Sequence, residues 1–393
     1  MENKKKFWKG ALCGALIMFI ICVVLGVMLV SGLFGLRVGD VVTSDTNQKL
    51  QMIRALMARE YLYYDDISDE ALQDALIKGY VEGLDEPYTV YYDAAETKAL
   101  FENTKGEFGG IGIGISQDVN TNSATCVTIY EDTPGEEAGF QVGDIVYKVD
   151  GEDVSGLDLD TIVSKIRGEV GTTVEITVLR GENMQEYTST VTRALIENDT
   201  VNYEMKDKKL GYIQVTGFEN VTYKQFAEAL DELKKQQMKG LVIDLRSNPG
   251  GNLSTVCDML DLILPEGTIV SIKDRDGKGE TYTSDAKHQL NVPLVVLING
   301  YSASASEIFA GAVKDHGIGT LVGTTTYGKG VVQEIYGLPD GTSFKITSSE
   351  YFTPSGKNIH GVGVAPDVEV EYVYDAKHPE RDNQLEKALE ILK

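Results

Sequence analysis

From about Leu210 onward, strand-like and helix-like segments alternate along the chain, and this alternation most constrains the fold. LGYIQV precedes a helical pattern at 222–237, LVIDLRSN precedes one at 252–263, and PLVVLIN precedes one at 304–315. Strands separated by helices usually run parallel, because each helix returns the chain to the same edge of the sheet. We therefore predict an α/β core with a mixed or largely parallel sheet, closed by a C-terminal helix in DNQLEKALEILK.

The region before this core has a different composition. Residues 106–192 are strand-dominated, with one short helix at 160–166, and predict a small mainly-β domain. Residues 45–82 carry two amphipathic helical patterns, whose apolar faces would form part of a core, a docking surface or a dimer contact. Residues 83–96 are rich in turn-forming and aromatic residues and predict a connector that packs against the rest of the protein. The predicted divisions are a stub and anchor at 1–36, a helical segment and connector at 37–105, the mainly-β domain at 106–192 and the α/β core at 193–393.

An apolar segment at residues 10–36 contains no charged side chain. A helix of about 20 apolar residues spans a bilayer, so this segment is long enough. Four lysines precede it and only Arg37 follows closely, which puts the N-terminus in the cytoplasm and the rest of the chain outside. Ser31-Gly32-Leu33 is a poor cleavage site, so an uncleaved single-pass anchor in the cell membrane is favoured over a removed signal peptide.

Composition argues against two classes of protein. The chain of 393 residues has 60 acidic and 36 basic side chains, a net charge of −24, whereas nucleic-acid binding calls for a basic face. Outside the anchor the only cysteines are Cys126 and Cys257. A disulfide between them is possible, but two buried free thiols are favoured, and the chain is no disulfide scaffold.

Residues 299–333 bring together a serine and a lysine in settings that suit catalysis. Ser304 lies where the buried strand PLVVLIN turns into a helix, so that free backbone N–H groups and the positive helix end surround it. Lys329 lies on the glycine-rich loop GTTTYGKG. A serine hydroxyl becomes nucleophilic when a base removes its proton, and a lysine can do so if burial lowers its pKa. The pair predicts a Ser–Lys hydrolase.

Each of these residues also has a plainer interpretation. Ser304 and Glu307 fit a helix capping box, and Ser302 and Ser306 are equally nucleophilic by chemistry alone. Lys329 could be an exposed loop lysine, the usual place for this residue type. GTTTYGKG nearly matches a phosphate-binding loop, but glycine follows the lysine where a hydroxyl is required, and a strand rather than a helix comes next. Nucleotide binding is therefore disfavoured.

The strand LVIDLRSN ends in a Pro-Gly-Gly turn that precedes a helix. Gly250 and Gly251 would let the backbone approach a ligand closely and direct N–H groups toward it. With the N–H of Ala305, which follows Ser304, they could form an oxyanion hole, although an ordinary turn is the alternative. The chain has no HExxH motif, and its four histidines show no metal-ligand spacing. We expect no metal and no cofactor.

Five stretches together resemble the carboxyl-terminal processing proteases, also called tail-specific proteases. In chain order they are GLDEPYTVYY, LVIDLRSNPGG, SASASEIFAGAVKD, GTTTYGKGVVQ and YFTPSGKNIHGVGVAPDVEV. The resemblance implies a Ser–Lys dyad with Ser304 as nucleophile, Lys329 as general base and Gln333 orienting the lysine amine. It further implies an oxyanion hole made by Gly250 or Gly251 with Ala305.

Residues 106–192 resemble the PDZ domain that these proteases carry, most clearly in EDTPGEEAGFQVGDIVYKVDG. PDZ domains bind a peptide C-terminus by adding it as a strand to a sheet edge. The resemblance makes GGIGI the loop that receives the terminal carboxylate, with substrate-binding residues Gly110, Ile111, Gly112 and Ile113. Arg167 follows the groove helix and would sense the bound peptide, or it is a plain surface arginine.

The sequence thus predicts an anchored, exported serine endopeptidase whose PDZ domain binds protein or peptide substrates by apolar C-terminal tails. Two rivals remain open at this stage. One is a PDZ scaffold with an inactive protease core, and the other is a Ser–Lys amidase that acts on cell-wall peptides. The substrate, the cut site and the oligomeric state do not follow from the sequence, although the helices at 45–82 could pair two copies.

Overall fold

The computed structural model describes residues 41–118 and 121–393, which divide into two compact units at Ala75 and Leu76. The first unit holds helix α1 (Ser44–Glu60), a short 3-10 turn and the beginning of helix α2 (Asp69–Glu82). Arg54 of α1 pairs with Asp69 at the start of α2. The two helical patterns predicted at 45–82 are both present.

No helix within the described ranges is long and apolar enough to cross a membrane. The segment at 10–36, predicted as a membrane anchor, lies outside the described residues.

The connector forms strand β1 (Val90–Tyr92) and leads into helix α3 (Ala94–Lys105). Asp93 caps α3 with a full capping box, because its carboxylate accepts the Glu96 N–H while the Glu96 carboxylate accepts the Asp93 N–H. The predicted packing of this connector is realised, since β1 joins the edge of a sheet in the α/β core.

The small mainly-β domain follows. Its elements are β2 (Glu107–Gly110), β3 (Ile113–Gln117), β4 (Ala124–Ile129), α4 (Pro134–Glu137), β5 (Ile145–Val149), β6 (Glu152–Asp153), α5 (Leu159–Ile166), β7 (Thr173–Arg180), β8 (Gln185–Thr192) and β9 (Ala194–Glu197). The main sheet has the order β3-β4-β5-β7-β8, and β2 pairs separately with β9. Alternate strand residues such as Val146, Val174 and Ile176 point inward, and Ile162 of α5 completes the same core. The helix predicted at 160–166 is α5.

The α/β core contains the remaining elements. These are β10 (Val201–Lys206), β11 (Leu210–Val215), α6 (Thr222–Lys235), β12 (Gly240–Asp244), α7 (Leu253–Asp261), β13 (Gly267–Asp274), β14 (Thr281–Ser284), β15 (Leu294–Ile298), α8 (Ala305–His316), β16 (Gly319–Gly323), β17 (Val331–Gly337), β18 (Ser343–Phe352), β19 (Val368–Glu369) and α9 (Asn383–Ile391). Cys126 of β4 and Cys257 of α7 are buried free thiols.

The central sheet has the order β10-β11-β12-β15-β16-β19, and all its pairs are parallel except β10 with β11. Residues of β12 and β15 are buried throughout, as predicted for PLVVLIN. Helices α6, α7 and α8 contribute to the large core cluster on one face, and Ala388 of α9 packs with Val295 and Val322 on the other. The predicted α/β core with a largely parallel sheet is therefore confirmed.

A second, antiparallel sheet was not foreseen. Its order is β1-β18-β13-β14, with β17 also paired to β18. It joins segments that are about 250 residues apart, since Tyr91 of the connector is paired with Phe344 of β18. Helical and strand periodicity are local signals, so they do not indicate pairings over such distances. This sheet supplies one wall of the site described next.

Candidate active site

Three loops meet at the carboxyl ends of three neighbouring parallel strands. Strands β12, β15 and β16 lie side by side, so the loops that follow them emerge at one edge of the sheet. The first loop carries the Pro-Gly-Gly turn, the second carries Ser304 and the third carries Lys329. Parallel topology thus brings together residues that are up to 79 positions apart, counted from Gly250 to Lys329.

Ser304 occupies a strained turn immediately before α8. Its backbone has φ 55° and ψ −113°, a combination that residues other than glycine rarely adopt. The Glu307 carboxylate accepts a hydrogen bond from the Ser304 N–H at 2.8 Å, and the Tyr351 hydroxyl donates to the Ser304 carbonyl at 3.3 Å. The Ser304 side chain lines a cavity next to this turn.

The three serines of SASAS differ in their surroundings. Ser302 is fully buried and donates to the Leu245 carbonyl at 2.7 Å. Ser306 is also fully buried and donates to the Asn248 carbonyl at 2.9 Å. Both hydroxyls therefore bind the turn to the loop after β12, whereas Ser304 is half-buried and borders the cavity. By residue chemistry alone the three serines are equally plausible nucleophiles, and their burial distinguishes Ser304 from the other two.

The Pro-Gly-Gly turn packs directly against Ser304. A Cβ on Gly250 would lie 2.9 Å from the Cβ of Ser304 and 2.7 Å from the Ala303 carbonyl oxygen. Gly251 has φ +149°, and a Cβ there would lie 2.4 Å from the Phe218 carbonyl oxygen. Both positions therefore require glycine.

The backbone N–H groups of this turn are used differently. The Gly250 N–H donates to Oδ1 of Asn248 at 2.8 Å. Within the described residues, no hydrogen bond from the N–H of Gly251 or Ala305 was found, and both residues line the cavity with Ser304. The N–H groups of Gly251 and Ala305 are therefore the candidate oxyanion donors, whereas the N–H of Gly250 is already bound to Asn248.

Lys329 lines the same cavity, and its amine lies over an aromatic ring. Its Nζ is 4.4 Å from the centre of the Tyr88 ring, which belongs to the connector. Burial lowers the pKa of the Lys329 amine, the Lys345 ammonium lowers that pKa further, and the carboxylates of Glu86 and Glu307 oppose the decrease. Burial, with a hydrogen bond to a neighbouring tyrosine, raises the pKa of Tyr88 to about 12, so its hydroxyl remains protonated at neutral pH.

Gln333 also borders the cavity, but its amide binds elsewhere. Its Nε2 donates to the Thr347 hydroxyl at 3.1 Å, and that hydroxyl donates to the Glu86 carboxylate at 2.9 Å. Over the residues that the structure describes, no hydrogen bond joins Lys329 to Gln333 or to Ser304. The expected lysine–glutamine contact is therefore not formed in this arrangement, although both side chains line one cavity.

Glu307 ties the serine turn to the lysine loop. This fully buried carboxylate accepts the Ser304 N–H at 2.8 Å and the Lys329 N–H at 2.8 Å on one oxygen. Its other oxygen accepts the Thr326 hydroxyl at 2.6 Å and the Gly328 N–H at 2.7 Å. The sequence suggested only a capping box. Glu307 forms that box and accepts its other three hydrogen bonds from a loop about 20 residues away.

The cavity at Ser304 has a volume of ≈ 310 Å³. Apolar side chains from α3, α7, α8, β17 and the Pro-Gly-Gly turn line it. Its polar side chains are Thr104, Asn252, Ser304, Lys329, Gln333, Lys345 and Tyr351. The apolar lining residues are Leu100, Pro249, Leu253, Ala305, Ile308, Val331, Val332 and Ile335. A cavity that combines apolar walls with a few converging polar groups is typical of a substrate site.

The mainly-β domain has its own groove. A cavity of ≈ 190 Å³ lies between β3 and α5 and is lined by the GGIGI loop together with Val163, Ile166 and Arg167. In the described part of the sheet, β3 pairs only with β4, so its other edge is open to an added strand. Residues Gly110, Ile111, Gly112 and Ile113 all border this groove.

The glycine and arginine of this groove have specific surroundings. Gly112 has φ +77°, and a Cβ there would lie 2.3 Å from the Thr133 side chain, so glycine is required. Arg167 stacks its guanidinium 3.8 Å from the centre of the Phe108 ring, at the end of the groove. It is therefore a partly buried groove residue rather than a free surface arginine.

Sequence reasoning missed several residues of this site. Lys345 and Thr347 of β18 carry no local motif, and their place depends on the pairing of β18 with β1 and β17. Glu86 and Tyr88 lie within GLDEPYTVYY, a matching stretch to which no role was given. That match was the one signal that could have directed attention to the connector.

Comparisons with known proteins agree with this architecture. The sequence model of peptidase family S41 matches residues 209–370, and a PDZ domain model matches residues 127–180. The carboxy-terminal processing protease CtpA of Bacillus subtilis is 34% identical over 321 residues, which are 81% of this chain and 68% of the relative. A carboxy-terminal-processing protease of Bartonella bacilliformis is 36% identical over 324 residues, which are 81% of this chain and 74% of the relative.

A solved structure has the same fold. A Bacteroides fragilis protein assigned to the S41 proteases superposes with a TM-score of 0.51 at 17% identity, covering 86% of this chain and 96% of that one. At this identity the likeness shows the fold alone. The family assignment rests on the two relatives named above, because each aligns with 81% of this chain at 34–36% identity. The chain belongs to the carboxy-terminal processing serine proteases of peptidase family S41.

Proposed function

We propose that the chain is a membrane-anchored, extracytoplasmic endopeptidase that uses a Ser304–Lys329 dyad on substrates bound through their C-terminal tails. The observation that carries the proposal is the cavity in which Ser304, Lys329 and Gln333 meet the open N–H groups of Gly251 and Ala305. The family match supplies the reaction class, and this cavity supplies the residues that would carry it out.

The reaction would proceed in two stages. Neutral Lys329 removes the Ser304 hydroxyl proton as Oγ bonds to the substrate carbonyl carbon, and the N–H groups of Gly251 and Ala305 stabilise the resulting oxyanion. The carbon–nitrogen bond then breaks, and the Lys329 ammonium returns the proton to the leaving amine. Water, deprotonated by the same lysine, hydrolyses the ester on Ser304 and regenerates the enzyme.

This mechanism requires a movement of Lys329. Its amine now lies over Tyr88, and the Gln333 amide binds Thr347. We propose that this is a resting arrangement, and that Lys329 swings from the ring to Ser304 and Gln333 when substrate enters. Catalytic hydrogen bonds that are absent without substrate often form only in the complex.

We propose that the PDZ groove selects apolar C-terminal tails. The open edge of β3 offers backbone hydrogen bonds to an incoming strand, and Ile111, Ile113 and Ile115 with Val163 and Ile166 line the space for its last side chain. A charged terminal side chain would lose its hydration in this space without gaining a partner.

A tail-swap experiment tests this selection. An unstructured protein ending in a short apolar tail is expected to be cleaved by the full-length enzyme, in detergent, at least about 10-fold faster than the same protein with an acidic tail. Val163→Arg fills the groove from α5 and is expected to remove this difference by raising KM for the apolar tail.

Ser164→Arg is the matched control for that experiment, since Ser164 is the exposed neighbour on the same helix. It should retain the preference for the apolar tail. Equal cleavage of the two tails by the unmutated enzyme would rule out selection by the groove.

Gly250→Ala is expected to lower kcat by about 100-fold while KM changes little. The new Cβ would collide with the Ala303 carbonyl and the Ser304 Cβ, so it displaces the nucleophile from the oxyanion donors. Steady-state kinetics measure the effect. Gly277→Ala is the control, because it also has a positive φ but nothing within 4 Å of its Cβ. An unchanged kcat in Gly250→Ala would contradict the proposed site geometry.

Anchoring and self-association are further parts of the proposal. The uncharged segment at 10–36 and the lysines before it support a single-pass anchor with the protease domain outside. Helix α1 leaves Met52, Ile53 and Leu56 at least half exposed, which supports a contact with a second copy. Protease protection in sealed vesicles tests the topology, and a monomeric mass by light scattering would exclude the dimer.

A further inference from the structure

A second lysine shares the cavity with the candidate dyad. Lys345 lies on β18, where it is paired with Ile335 of β17, two residues from the pairing of Gln333 with Thr347. Side chains two residues apart on a strand point to the same face. The register therefore places Lys345 on the same face as Thr347, and Lys345 lines the cavity that Ser304 and Lys329 also line.

The Lys345 ammonium is held in place but is not neutralised by an ion pair. Its Nζ donates to the Tyr92 hydroxyl at 2.7 Å, and Val90, two residues before Tyr92, is the β1 residue paired with Lys345. Among the described residues, no carboxylate lies within 4.0 Å of its Nζ. Lys345 is partly buried and its partner is a neutral hydroxyl, so its positive charge is not balanced by a paired carboxylate.

The other charged and titratable groups around Lys329 come from the connector and from α8. Glu86 and Tyr88 face it from the connector, and Glu307 faces it from α8. Glu307 already accepts four hydrogen bonds. Glu86 accepts hydrogen bonds from Thr89, Thr347 and the Tyr88 N–H. Both carboxylates attract a protonated Lys329, and Lys345 is the charged group that acts in the opposite direction.

The two amines differ in the groups that stabilise their charged forms. The Lys345 ammonium keeps an acceptor in Tyr92, whereas Lys329 has only an aromatic face in the described structure. Two like charges in one partly apolar cavity repel, and poor solvation of the Lys329 ammonium favours its neutral form. A lysine next to a second cation is an established way to obtain a neutral amine near pH 7.

We propose that Lys345 is a positioning residue of the candidate active site, whose fixed positive charge favours the neutral form of Lys329 that a general base requires. This inference rests on the proposed Ser304–Lys329 function. Burial and the neighbouring Lys345 both lower the pKa of Lys329, in agreement with it.

The first test measures the charge of Lys329 without using catalysis. The full-length chain with Ser304→Ala is labelled with trace acetic anhydride at a series of pH values, and the labelling of Lys329 is read by mass spectrometry. Adding Lys345→Met is expected to move the labelling midpoint of Lys329 up by about one pH unit. Adding Lys345→Arg should leave the midpoint in place, because the charge is retained.

A matched control removes one lysine charge from a neighbouring strand. Lys273 of β13 is exposed, and Lys273→Met in the same background should not move the midpoint. Lys345→Gln serves as a second variant if Lys345→Met does not fold, since its amide can still bind the Tyr92 hydroxyl. A midpoint that is unchanged in both Lys345→Met and Lys345→Gln would overturn the proposal.

The second test uses the catalytically intact chain. Activity depends on neutral Lys329, so kcat/KM rises with pH through the pKa of Lys329, and raising that pKa moves the rise to higher pH. Lys345→Met is expected to lower kcat/KM about 10-fold at pH 7, with recovery at high pH. A loss by the same factor at every pH would mean a structural role and would contradict the proposal.

The two tests separate this inference from the proposed function. If Lys329→Met retains activity, the dyad is wrong, and the labelling curves still decide whether Lys345 controls the charge of Lys329. If Lys329→Met is inactive and the labelling curves do not move, the dyad stands and the role given to Lys345 fails.

Discussion

Ser304→Ala is expected to lower kcat by roughly 10⁴- to 10⁶-fold, because it removes the only hydroxyl of the SASAS turn that borders the cavity. The alanine should adopt the same turn, since Glu307 holds the backbone of residue 304 through its N–H. Substrate binding should therefore persist. Single-turnover cleavage of the apolar-tail substrate measures the loss, and binding of the same tail is measured in parallel by fluorescence anisotropy.

The neighbouring serines are the controls for this prediction. Ser302→Ala and Ser306→Ala each remove a buried hydrogen bond to the loop after β12, so the free energy of unfolding should fall by about 1–3 kcal/mol. The folded fraction should keep its kcat within about 10-fold. Cleavage by Ser304→Ala at a rate close to that of the unmutated enzyme would refute the nucleophile assignment.

Glu307→Gln is expected to lower the free energy of unfolding by about 2–4 kcal/mol and kcat by more than 100-fold. The carboxylate accepts two hydrogen bonds on each oxygen, and an amide NH₂ in place of one oxygen would face two donors. The turn of Ser304 and the loop of Lys329 would then lose their common anchor. Urea unfolding and steady-state kinetics measure the two effects.

Tail binding distinguishes a local effect from general unfolding in this variant. The PDZ groove does not include Glu307. Without urea, where the variant is folded, its Kd for the apolar tail should therefore stay within about twofold of that of the unmutated enzyme. Glu334→Gln, an exposed carboxylate on β17, should change the free energy of unfolding by less than about 0.5 kcal/mol. A Glu307→Gln variant with full kcat would show that the shared anchor is not needed.

Local sequence signals predicted much of the fold. The strand, turn and helix around Ser304 follow from a continuous apolar run, small residues and then a helical apolar face, all within about 25 residues. The helices predicted at 160–166 and 304–315 appear as α5 and α8 within one residue of those limits. These signals are reliable because hydrogen bonding and side-chain periodicity within one element involve near neighbours.

The antiparallel sheet beside the cavity could not be predicted in this way. The Thr347 N–H donates to the Thr89 hydroxyl across 258 positions of sequence, and the connector has no periodicity that identifies its partner. The same pairing brings Glu86 and Tyr88 to Lys329. Motif resemblance identified the stretch GLDEPYTVYY but did not indicate that it forms a wall of the site.

The sequence by itself determined that two loops after buried strands present a serine and a lysine. It also determined that an earlier loop contains two adjacent glycines, which suit a close turn. Only the tertiary structure decided which of three serines borders the cavity, which glycine N–H is already used by Asn248, and that Gln333 binds Thr347 rather than Lys329. The reason is physical. Residue type and local order determine what a side chain can do, whereas burial and through-space partners determine whether its hydroxyl, N–H or charge is free to do it.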